Sequence, residues 1–185
     1  MVTKISGDTG VDNIKDGIIT SSKLASGVGG KTLQVLSATK TDTFVTTNTL
    51  ASGGAAVTGL SVTITPSSTS NKILILCTLN TDGSATVTQA YAWLARGSTK
   101  IGAGANSGSR IGVNARGYYG DNNVTNAYSM SYLDSPSTTS AVTYNVYVAT
   151  QGSGSVVVNR TINDTDNTGD GARTSSTITV MEIAG

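Results

Sequence analysis

The chain has 185 residues, 37% of them hydrophobic and 12% charged, with a formal net charge of +1. This length accommodates one well-buried domain of ordinary size with a short extension, and the scattered, nearly balanced charge excludes a basic nucleic-acid face. With no histidine and one cysteine, Cys77, the sequence excludes Ser-His-Asp and Cys-His catalysis, a clustered zinc site and an intrachain disulfide.

Residues 1–30 differ from the rest. Ile5, Val11, Ile14, Ile18, Ile19 and Leu24 are spaced among Gly, Asp, Ser and Lys and fit neither a helical nor a strand period. A lone segment of this kind cannot bury its isoleucines, so it is expected to be a loose arm or to pair with copies of itself or with a partner. Gly29-Gly30 reads as a hinge, which places a β-domain over residues 31–185. Met1 to Lys15 shows no apolar signal region, and the run Ile73 to Cys77 is far short of a membrane span. A soluble protein made in a cytoplasm, without membrane insertion, is expected.

From Thr32 onward the pattern becomes strand, turn, strand. Leu33–Thr39, Thr43–Thr47 and the alternating Val57–Thr65 come first, the last stopped by Pro66, which cannot donate to a ladder. Asn71–Leu79 reads as a strand buried on both faces and takes Cys77 as a small buried hydrophobe. Ala90–Ala95 carries the only Trp, Trp93, and turns through Arg96-Gly97-Ser98 into Lys100-Ile101. Arg110–Tyr119, Asn126–Leu133, Val142–Thr150, Ser155–Asn159 and Ser176–Ile183 complete the series, with a hairpin suggested at Thr150–Gly154. About ten short strands predict an all-β fold, an antiparallel β-sandwich or jelly-roll-like domain behind an extended arm.

Few motifs offer chemistry. Ala25–Thr32 superficially resembles a phosphate loop, but no buried strand precedes it and no helix follows. Asp164, Asp166 and Asp170 lie on a turn-rich loop with a calcium-like oxygen pattern, although Ser175 occupies the place of the closing glutamate. A solvated loop is the simpler reading, and no metal or cofactor is expected. Only Glu182 and Asp134 among the acids fall in strands or at their ends, a thin basis for a paired-carboxylate glycosidase. Asn123, Asn159 and Asn163 begin Asn-x-Thr triplets that read as chance in a Thr- and Asn-rich chain. Trp93, Tyr118 and Tyr119 are candidate surface or ligand contacts, against the alternative of ordinary sheet packing.

The arm holds the most specific pattern, Asp16-Gly17-Ile18-Ile19-Thr20 followed by Lys23-Leu24-Ala25-Ser26-Gly27. It resembles a unit that recurs in tail-fibre and related virion proteins of bacteriophages, especially marine and cyanobacterial ones. Leu60–Ser68 leading into Asn71–Ile75, and the closing Thr177–Gly185, resemble terminal domains of the same proteins. The resemblance implies a non-enzymatic, homotrimeric virion-surface protein that is attached to other virion proteins by its arm. Its β-domain would then contact a host-surface glycan. A capsid decoration or head-fibre protein that stabilises the shell is the alternative within this class. A carbohydrate-binding or glycan-cleaving domain, using Trp93, Tyr118, Tyr119 and the Asp164–Asp170 loop, is the alternative outside it.

Overall fold

The computed structural model describes residues 32–84, 89–119, 122–169 and 171–185. The arm residues Ile5, Val11, Ile14, Ile18, Ile19 and Leu24, and Asp170 of the acidic loop, lie outside the described residues. Among the described residues the fold is all-β, with eleven strands and no helix. In chain order these are β1 (Thr32–Lys40), β2 (Phe44–Thr46), β3 (Ala55–Ile64), β4 (Lys72–Gly83), β5 (Gln89–Arg96), β6 (Thr99–Ile101), β7 (Ala115–Tyr118), β8 (Asn126–Asp134), β9 (Val142–Thr150), β10 (Val156–Val158) and β11 (Ser176–Ile183).

Two antiparallel sheets form a sandwich. The first runs β1-β11-β4-β10-β2, with β8 on the free edge of β4; the second runs β3-β9-β5-β6, with β7 also on β5. Alternating apolar residues explain the layering, because successive side chains of a strand point to opposite faces. Ile73, Ile75, Cys77 and Leu79 of β4 and Ile178 and Val180 of β11 face Leu60, Val62, Ile64, Leu94, Val146 and Val148 of the second sheet in one core. At about 25 cal/mol per Å² of apolar surface removed from water, this core is the principal stabilising term.

Three sequence expectations are corrected. β4 is not buried on both faces: its inward residues are fully covered while Leu76 is 40% exposed, because a two-layer sandwich covers only one face of each sheet. Thr150–Gly154 is not a hairpin, since β9 belongs to the second sheet and β10 pairs with β4 and β2 in the first. The strand expected over Arg110–Tyr119 contracts to Ala115–Tyr118. The residues before it form a loop that includes a tight turn, in which Ser107 and Arg110 exchange backbone hydrogen bonds of 3.0 and 3.1 Å around Gly108-Ser109.

Several aromatic rings rest on glycines. A Cβ on Gly83 would lie 2.8 Å from the Tyr119 ring, and one on Gly102 would lie 2.6 Å from Tyr132. At Gly117 a Cβ would collide with the hydroxyl end of Tyr128, and at Gly54 with the edge of Trp93. Only a residue without a side chain lets these aromatic side chains approach the backbone so closely.

Candidate interaction surface

The strand-borne acids are structural. Glu182 on β11 and Asp134 on β8 both stand in register with Ile73 of the intervening β4, so all three project to the inner face. The Glu182 carboxylate accepts bonds from Gln34 Nε2 (2.6 Å), Ser67 N (2.7 Å), Ser67 Oγ (2.8 Å) and Asn71 Nδ2 (2.6 Å). Burial works against its charge, but these donors prevail and hold its pKa at about 2. Asp134 accepts from the Tyr144 hydroxyl at 2.7 Å and pairs with Arg96 at 3.1 Å. Burial first, and then the bond to Asp134, pushes the Tyr144 hydroxyl above the usual phenol range. With its accepting oxygens engaged in this way, neither carboxylate is presented to a substrate.

Asp164 of the acidic loop is also committed. Asp164 lies 2.7 Å from Arg173 and 3.8 Å from Arg160, and two guanidinium groups occupy the charge that a cation would need. Among the described residues no three Asp, Glu, Cys or His side chains gather as metal ligands.

Of the three ring residues expected at a surface, two are corrected. Tyr119 is buried in the main core, where its hydroxyl meets those of Thr81 and Tyr128. Trp93 is buried on the outer side of the second sheet, stacked on Tyr147 with ring centroids 5.5 Å apart, with Lys100 Nζ 4.4 Å from the ring centre. Loop residues Leu50 and Val113 pack against this small second cluster, which removes Trp93 from solvent. Tyr118 is 69% exposed.

Beside the Trp93 cluster the outer face of the second sheet carries a groove of about 290 Å³, lined by Leu50, Tyr91, Ser109, Arg110, Ile111, Val113 and Arg116. Pairing of β5 with β7 sets Arg116 opposite Tyr91 and Tyr118 opposite Gln89. The tight turn delivers Arg110, whose guanidinium donates to Ser107 O and Oγ, each at 3.2 Å. Among the described residues neither Arg110 nor Arg116 forms an ion pair.

The outer face of the first sheet has a different character. Val35, Met181, Leu74 and Leu133 stand in register across β1, β11, β4 and β8, as do Ser37, Thr179, Leu76 and Ser131. A third row is Thr39, Thr177, Thr78 and Ser129. None of these side chains is charged, and Val35 and Leu133 are each 52% exposed. Sequence reasoning passed over this face because its apolar members are separated along the chain and meet only through strand pairing.

No protein-family model matches the sequence, and no curated protein sequence matches it. Among solved structures, T=1 particles derived from infectious bursal virus align over 82% of this chain and 36% of theirs, at 14% identity and a TM-score of 0.41. A VP2 subviral particle of infectious bursal disease virus aligns over 82% and 38%, at 16% identity and a TM-score of 0.38. The Gx strain of the same virus aligns over 82% and 37%, at 17% identity and a TM-score of 0.37. The chain thus spans little more than a third of the length of these structures.

Proposed function

We propose that this chain is a non-enzymatic structural module of a bacteriophage virion surface. It assembles as a homotrimer that is joined to other virion proteins through residues 1–30 and turns its β-sandwich outward toward the host. The observation that carries the assembly is the set of three uncharged rows on the outer face of the first sheet, led by Val35, Met181, Leu74 and Leu133, with Lys72 at their margin. Depletion of charge around a contiguous apolar strip is the character of an interface core. The arm motif from Asp16 to Gly27 supports the virion setting. The lack of histidine and the engagement of Glu182 and Asp134 support a non-enzymatic role.

Native mass spectrometry of the full chain tests the assembly. A trimer is expected, and Leu74→Glu combined with Leu133→Glu should release monomers that keep the β-sheet circular dichroism. A monodisperse wild-type monomer overturns the reading. Immunogold labelling of intact particles locates the protein, and particles that carry none of it overturn the virion setting.

A further inference from the structure

We infer that the groove on the outer face of the second sheet binds a carboxylated saccharide, through Arg110 and Arg116 and the ring of Tyr91. The two arginines reach it from separate elements, the turn at Ser107–Arg110 and strand β7. Neither is neutralised by a carboxylate among the described residues. Guanidinium is the side chain best shaped to grip a carboxylate in two parallel hydrogen bonds, and Arg110 is already oriented by its bonds to Ser107. That prior ordering lowers the entropy lost on binding.

The rest of the groove suits a sugar ring. Tyr91 is held by its hydroxyl bond to Gln89 at 2.7 Å, and outside the lining itself Tyr118 follows Arg116 by two positions on the same face of β7, largely open to solvent. Aromatic faces carry negative charge and attract the polarised C–H groups of a pyranose. Ile111, 41% exposed, supplies an apolar margin, and Ser109 a hydroxyl. At about 290 Å³ the groove lies near the lower limit of ligand pockets, enough for one or two sugar rings. It lies on a sheet face and offers no free ladder, so it does not suit a peptide that binds by strand addition.

The inference rests on the proposed function only for the source of the saccharide, which would be the host surface. Isothermal titration of the full chain with a galacturonate tetrasaccharide, a neutral maltotetraose and a tetraglutamate peptide tests it. The uronate is expected to bind at least tenfold more tightly than either control. Arg110→Ala and Arg116→Ala should each weaken it by about tenfold, the loss of a charge-assisted bond, with Arg116→Lys intermediate. Failure of the uronate to bind, equal binding of the neutral sugar or the peptide, or indifference to both arginine changes overturns the inference. Native mass recorded on the same samples reports on assembly independently, so a trimer that binds no uronate refutes the groove and leaves the proposed function standing.

Discussion

Acid and the substitution Glu182→Gln strike the same buried cluster from two directions. The carboxylate is fully buried and receives four hydrogen bonds, and its pKa is about 2 against an ordinary 4.5. At about 1.4 kcal/mol per pH unit, the depression supplies roughly 3 kcal/mol of stability. The folded-state pKa lies below that of the unfolded chain. The contribution is therefore fully present above pH 4.5 and is lost as pH falls from there to about 2. In Glu182→Gln an amide NH₂ replaces one accepting oxygen and faces donors, which costs about 2–4 kcal/mol at neutral pH and removes this acid limb. Urea unfolding followed by Trp93 fluorescence, repeated from pH 7 to pH 2.5, measures both effects. Identical pH slopes for the two proteins below pH 4.5, or wild-type stability of the variant at pH 7, would refute the reasoning.

Other positions make independent demands. Gly83→Ala drives a methyl group to 2.8 Å from the Tyr119 ring and is expected to lower stability by about 1–3 kcal/mol in thermal melts. Combined with Tyr119→Leu it should be clearly less harmful than the two separate losses added together, and simple additivity would contradict the contact. Burial raises the Cys77 thiol to about 12, so Ellman's reagent at pH 8 should leave the native protein unlabelled and react fully in guanidinium. Asn159 adopts φ 63° and donates to the Lys40 and Asp42 carbonyls while accepting from Ser176 Oγ. Asn159→Ala should cost about 2–4 kcal/mol by denaturant titration. Asn159→Gly, which keeps the backbone conformation, should cost less.

The strands were legible wherever polar and apolar residues alternate without interruption. Ser176–Ile183 emerges residue for residue because Ile178 and Val180 alternate with Thr177 and Thr179. β4 misled because Leu74 and Leu76 make its outer face apolar too, and local sequence cannot distinguish an exposed apolar row from a second buried face. The Thr150–Gly154 segment has turn chemistry, but the partner of the following strand is chosen by distant β4 and β2. Burial of Trp93 and Tyr119 depends on Gly54 and Gly83, which are remote in sequence. The groove was hidden for a related reason: only the pairing of β5 with β7 sets Arg116 beside Tyr91. Asn159, read as a chance triplet, proved to be a buried bracket among three segments, and its positive φ left no local signal beyond the tolerance of Asn for that conformation.

Few charges are available in this sandwich to discriminate one strand alignment from another, and rows of Thr and Ser resemble their neighbours after a slip. The ring-on-glycine contacts act as keys cut for a single lock. If β7 slid along β5, Gly117 would leave Tyr128 and a residue with a side chain would take its place against the Tyr128 hydroxyl end. Because Tyr128 belongs to the first sheet and Gly117 to the second, this key also aligns one layer on the other. Alignment is thus encoded by steric exclusion, which salt does not screen and acid does not titrate.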